Sequence, residues 1–165
     1  MKEKLFKLCL SLSALSLFCW VIVSYTKLAV CASDSLKGIH YVLFLKNTTI
    51  KRGDIVFIPN HPVRYVGEKS LSKRVLGLSG DTVSREKEGI KLTSYVAGSR
   101  AANSQRFSLL GKTSKGEPLT PLSSRIIPEG YVFVAGDNPK SFDSRYEEFG
   151  LVHKDKIWGK AAFTW

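Results

Sequence analysis

Between Leu8 and Tyr25 the chain runs for 18 residues without a single charge, LCLSLSALSLFCWVIVSY. That run limits what the chain can become, because it is as long as the shortest helix that spans a bilayer and too apolar to lie on a water-facing surface. Lys2, Lys4 and Lys7 precede it and Lys27 follows. The denser positive charge is N-terminal, which places the N-terminus in the cytoplasm and the rest outside it. Trp20 and Tyr25 fall toward the far end, where interfacial aromatic rings are favoured. The run is also open to reading as a cleaved signal peptide, with small residues near VCAS as the cleavage site and Cys31 as a lipidation site. Its length exceeds the usual signal core, so a retained anchor is the expectation. We divide the chain into a cytoplasmic tail (1–7), an anchor (8–28) and an extracytoplasmic domain (29–165).

Beyond the anchor there is enough chain for about one domain with a single modest core. The 165 residues carry a formal charge of +11, which permits an acidic partner. The basic residues are spread along the chain, however, and no nucleic-acid-binding motif accompanies them, so nucleic acid is not an expected partner. All three cysteines lie at or before Cys31, leaving the later segment no internal disulfide. With no Cys/His cluster, and His40, His61 and His153 isolated, no metal site and no cofactor is expected.

From Ile39 the pattern is one of short strands. IHYVLFL (39–45), IVFI (55–58), SKRVLGL (72–78), TVS (82–84), YVFVA (131–135), GLV (150–152) and IWGKAAFTW (157–165) are β-branched and aromatic runs separated by RGD, PNHP, SGD and PEG turns. The stretch from about 85 to 124 is polar and rich in Gly, Ser and Lys, a variable insert of short hairpins and loops. No long amphipathic helix and no repeat is visible. The expected fold is mainly β, a coiled sheet or barrel.

Three segments carry chemistry. SDSLKG (33–38) places Ser35 on a turn just past the anchor. In SKRVLGLSGD (72–81), strand alternation puts Lys73 on one face with Leu71 and Val75, and Ser72 with Arg74 on the other. A lysine on an apolar face loses proton affinity, and a neutral amine can serve as a base toward a hydroxyl. An edge lysine reaching out to water would give the same letters. GDNPKSFDSR (136–145) crowds acids, bases and serines into one loop after YVFVA.

Read together, SDS, GDIVFI, KRVLGLSGD and PEGYVFVAGDNPKSFDSRYEEFG resemble, in content and order, the type I signal peptidase family of membrane-bound Ser–Lys proteases (S26). The resemblance covers most of the later chain apart from the insert. It implies a signal-peptidase-like β domain on one transmembrane helix, with Ser35 as nucleophile and Lys73 as general base. Ser33 and the Ser35 N–H would form the oxyanion hole, and Ser141 would orient the lysine. Asp143 and Arg145 would shape the floor of the site, carried by a turn holding Asp137 and Asn138. The Pro-bearing turn that usually follows the nucleophile is absent; Leu36 and Lys37 stand there.

The expected activity is that of a serine endopeptidase acting on membrane-bound precursors at the bacterial inner membrane. The single anchor, the short insert and the form SDSL resemble the conjugative-transfer (TraF-like) branch, which implies a pilin or a component of type IV secretion machinery as substrate. A housekeeping enzyme that removes signal peptides from many proteins is the main alternative. The third is a non-catalytic, membrane-tethered assembly module of a secretion system.

Overall fold

The computed structural model describes residues 2–31, 34–46, 48–61, 69–95 and 102–165. Helix α1 spans Lys2–Tyr25, buries none of its residues and has a mean hydropathy of 2.1 over its most apolar window. Its 24 residues measure about 36 Å at the rise of an α-helix, enough to cross a hydrocarbon core of about 30 Å. Three of the four serines in the run are bonded within the helix. Ser11, Ser13 and Ser24 donate their hydroxyls to the carbonyls of Leu8, Leu10 and Trp20, so their polar groups are satisfied within the helix.

Strand β1 (Thr26–Val30) begins at the very next residue. The helical segment therefore stops at Tyr25, short of the expected 28, because Thr26 to Val30 pair with β2 (Tyr41–Lys46) in the register Thr26↔Leu45 to Val30↔Tyr41. The remaining strands are β3 (Ile55–Ile58), β4 (Leu71–Gly77), β5 (Thr82–Glu86), β6 (Gly89–Tyr95), β7 (Ala102–Ser108), β8 (Arg125–Ile126), β9 (Tyr131–Ala135), β10 (Val152–His153) and β11 (Gly159–Thr164). They form a coiled seven-stranded sheet, ordered β1-β2-β11-β3-β4-β9-β10, and a four-stranded sheet, β7-β6-β5-β8. The fold is mainly β with an N-terminal apolar helix, as expected.

The two sheets meet over one apolar interior. Val56, Ile58, Val75, Val132, Val134 and Val152 pack within the large sheet. Val83, Ile90, Leu92, Leu122, Ile127 and Phe133 join it to the small one. Phe133 reaches that second cluster across a register shift between Val75 and Gly77. A Cβ at Gly77 would lie 2.6 Å from Ile127 Cδ1 and 2.9 Å from Phe133 Cβ, so only glycine lets the sheets close here. A third cluster, Leu36, Val42, Phe44, Ile55 and Phe57, underlies β1 and β2.

The segment from 85 to 124 is more regular than short hairpins. Apart from 96–101, which lie outside the described residues, its part up to Ser108 belongs to the β5–β6–β7 meander, with β6 and β7 paired over seven positions from Gly89↔Ser108 to Tyr95↔Ala102, while 109–124 are turns and loops with the isolated bridges Lys112↔Pro118 and Pro121↔Tyr146.

Candidate active site

The Ser35 turn is held from below. Leu36 is buried in the third cluster, and Cys31 N–H donates to the His40 carbonyl at 2.8 Å, closing the loop between β1 and β2. Gly38, at φ 71°, completes the reversal. Ser35 is thereby left half-buried, facing the middle of β4.

Alternation along β4 buries Lys73, Val75 and Gly77 and leaves Ser72, Arg74 and Leu76 only partly covered. Lys73, 3% exposed, donates to Ser35 Oγ at 3.0 Å and to Ser141 Oγ at 2.6 Å. The two hydroxyl oxygens are 3.3 Å apart. Burial pulls the Lys73 pKa down to about 8; the Asp143 charge pushes the other way and Arg145 opposes Asp143.

That opposition has a geometric basis. Arg145 and Asp143 form a fully buried fork, Nε to Oδ1 and Nη2 to Oδ2, each at 2.7 Å. Asp143 Oδ2 also accepts from Gly136 N–H at 2.9 Å. The remaining Arg145 donors reach the carbonyls of Pro139, Asn138 and Ser141. Asp143 is thus occupied by the arginine and the backbone, and the lysine faces neutral hydroxyls. The same arginine ties down the loop that carries Ser141.

A second clamp joins the serine turn to the lysine strand. Asp137 N–H donates to the Ser35 carbonyl at 2.6 Å, and Asn138 N–H reaches the same oxygen at 3.3 Å. The Asp137 carboxylate takes a two-point bond from Arg74 at 2.9 and 3.0 Å and a weaker one from Lys37 N–H. The Arg74 bond holds the Asp137 carboxyl below its ordinary pKa. Arg74, next to Lys73 on the opposite face of the strand, therefore fixes the backbone of the serine that Lys73 touches.

Six of the seven expected site residues fall into this arrangement: Ser35, Lys73 and Ser141 in mutual contact, Asp143 and Arg145 beneath them, Asp137 across the turn. Ser33 lies outside the described residues. Two participants were not anticipated. Arg74 carried a signal, as a second charged residue directly beside the lysine, on the other face of the strand with Ser72. Gly136 did not: a Cβ there would lie 2.4 Å from Ser141 Oγ and 2.7 Å from the Ser35 carbonyl oxygen, a close approach visible only in three dimensions.

A cleft of 370 Å³ opens beside Ser35, walled by Val30 and Cys31 on one side and by Lys69 to Lys73 on the other. Burial raises the pKa of the Cys31 thiol, against a hydrogen bond from Ser72. The cleft can admit an extended chain and bring a carbonyl carbon to Ser35 Oγ. An amine with a pKa of about 8, within hydrogen-bond reach of a hydroxyl, can take up its proton.

A turn serine bonded to a buried lysine of lowered proton affinity on a coiled β-sheet defines the class: a Ser–Lys hydroxyl site. The family model described as signal peptidase, peptidase S26, matches residues 3–165, and the chain belongs to that family. It is similar to signal peptidase I S of Bacillus subtilis (strain 168), at 33% identity over 131 residues, covering 72% of this chain and 64% of that protein. It is also similar to signal peptidase I of Bacillus licheniformis, at 34% over 123 residues, covering 69% and 58%. The chain thus spans about three fifths of the length of these curated relatives. Among solved structures it is similar to a signal peptidase I from Enterococcus faecalis V583, with 27% identity, coverage of 68% of this chain and 97% of that one, and a TM-score of 0.41.

Proposed function

We propose that this chain is a membrane-anchored serine endopeptidase that cleaves exported precursors close to the bilayer, with Ser35 as nucleophile and Lys73 as general base. The observation that carries the reading is the 3.0 Å contact between Lys73 Nζ and Ser35 Oγ, made by a lysine whose burial keeps much of it neutral near pH 8. Ser35 Oγ attacks the scissile carbonyl carbon while Lys73 takes the hydroxyl proton. The Ser141 hydroxyl keeps the amine aimed without a charge that would hold the proton on it. The Ser35 N–H, with the Ser33 hydroxyl as the resemblance implies, receives the developing oxyanion. Lys73 then hands its proton to the departing amine, and a water deprotonated by the same lysine releases the acyl chain.

The anchor, with its N-terminus cytoplasmic by the positive-inside rule, confines enzyme and precursor to one plane and raises their effective concentration. We place the site on the outer side of the bacterial inner membrane. The conjugative-transfer reading narrows the substrate to a pilin or a type IV secretion component. The housekeeping reading fits about equally, and both curated relatives bear the name signal peptidase I. The non-catalytic module is disfavoured because a buried lysine aimed at two hydroxyls has no structural purpose that an apolar residue would not serve better.

Detergent-solubilised wild type and Ser35→Ala, each incubated with a pilin precursor and with a general secretory precursor, test the proposal by intact mass. Cleavage of either precursor by wild type alone supports the peptidase, and the precursor cleaved identifies the branch. Equal processing by Ser35→Ala would overturn it.

A further inference from the structure

A second cavity, of 340 Å³, takes Ser141 into its wall, whereas the cleft described above takes Ser35 and Lys73. The polar ends of these three side chains lie within 3.3 Å of one another, so the reacting atoms stand at the junction of two hollows. Lys140, Ser141 and Phe142 line the second one from the loop after β9, and Leu110, Lys112 and Leu119 line it from the segment after β7. That segment belongs to the stretch expected as a variable insert, and the chemistry of Ser35 gives it no task. It is nonetheless a built wall. Lys112 bridges to Pro118, Thr113 N–H donates to the Glu117 carbonyl at 2.8 Å, and Leu119 N–H donates to the Gly111 carbonyl at 3.0 Å. Leu110 N–H donates to the Tyr146 hydroxyl at 2.9 Å, which ties the segment to the residue after Arg145. Phe142 stacks on the same tyrosine, ring centroids 5.9 Å apart. The charge in this wall is of one sign. Lys112 and Lys140 are exposed, and among the described residues no carboxylate lines the cavity or pairs with either ammonium.

We propose that this cavity receives the chain released by cleavage, and that Lys112 and Lys140 select an acidic side chain among its first few residues. The proposal deepens, and rests on, the reading of Ser35 and Lys73 as a peptidase pair. The membrane sets the direction of the substrate. A precursor's membrane segment precedes its scissile bond, and β1 leads from the end of α1 toward the Ser35 turn. Upstream residues therefore arrive along Val30 and Cys31 and fill the first cleft. The leaving nitrogen has to come within reach of Lys73 Nζ, which protonates it, and Ser141 is that group's other neighbour. The chain beyond the nitrogen departs past Ser141, into the hollow that carries the two lysines. Opposite charge on the departing chain complements that wall.

The test uses the full chain in detergent and two kinds of probe. Precursors identical up to the scissile bond carry Glu, Gln or Lys at the second and third positions after it. In wild type kcat/KM should fall in that order, by about fivefold or more from Glu to Lys. Lys112→Glu with Lys140→Glu should reverse the order. Lys87→Glu with Lys156→Glu, the same change of net charge outside the cavity wall, should keep it. An order unchanged by the first pair, or reversed equally by the second, would overturn the proposal. The other probe is a peptide with the sequence of the released chain, labelled at its C-terminus with fluorescein and followed by anisotropy with Ser35→Ala. Its Glu form should bind about fivefold or more tighter than its Lys form, and the charge-reversed cavity should lose that difference. Binding needs no turnover, so the two readings fail separately. A chain that cleaves neither precursor yet shows this binding sinks only the peptidase reading. One that cleaves but handles Glu and Lys forms alike sinks only the cavity, and one that does neither sinks both. Should the reversed pair misfold by circular dichroism, Lys112→Gln with Lys140→Gln replaces it and should bring the Glu and Lys forms within about twofold of each other; a persisting preference would overturn the proposal.

Discussion

At the scale of single residues, the site depends on keeping a lysine neutral without losing its aim. Burial does the first and Ser141 the second, while Arg145 draws the Asp143 charge away. Lys73→Met should abolish cleavage yet leave the fold intact. Because burial lowers the folded-state pKa from 10.5 to about 8, the unfolded chain binds more protons between those values, and stability rises with pH across that window. At neutral pH the buried ammonium costs about 3 kcal/mol by the same shift, so thermal unfolding of Lys73→Met near pH 7 should move upward. A drop would mean that the lysine is paired more strongly than its neighbours imply. Ser141→Ala removes the 2.6 Å bond and should lower kcat about 10²-fold or more with little change in KM; an equal rise in KM would make Ser141 a substrate contact instead.

At the scale of elements, the serine turn, strand β4 and the loop after β9 are bound into one unit by Asp137–Arg74 and Asp143–Arg145. The two pairs differ in burial, so their variants should differ in kind. Asp143→Asn leaves Arg145 buried without its counter-charge, and the loss should be about 3–5 kcal/mol in a denaturant titration. The Arg74–Asp137 pair is roughly a quarter exposed. Arg74→Ala should therefore cost little stability and act on the reaction, lowering kcat as the serine turn loosens. A kcat equal to wild type would remove the clamp from the account.

Legibility from sequence follows the same elements. β3 and β9 fall on the runs IVFI and YVFVA because both are buried nearly throughout, where an apolar run has no ambiguous end. β6 and β7 hid in a polar stretch, since β6 offers the core only Ile90 and Leu92 beyond its first glycine and is held mainly by backbone pairing. Lys73 was placed by strand alternation, and its partners came from the family resemblance. Gly136 and the Arg74–Asp137 bond depend on approaches between segments 63 to 101 residues apart, which no local pattern records.

At the scale of the whole molecule, a helix able to cross the bilayer passes without a linker into the sheet that carries the nucleophile turn. Enzyme and precursor should therefore meet by diffusion in one membrane. A precursor reconstituted in the same vesicles should be processed many times faster than one in a separate vesicle population at equal bulk concentration. Equal rates in the two arrangements would show that the anchor plays no part in delivery.

The central claim is that Lys73 works as a neutral base on Ser35, and the pH dependence of kcat/KM tests it most directly. With a membrane-anchored precursor as substrate and Ser35→Ala as the blank, the account predicts a rate that climbs from acidic pH and levels off through an apparent pKa of about 8, the value set by the burial of Lys73. A rate that stays flat across that region, or that falls as the lysine loses its proton, would contradict it.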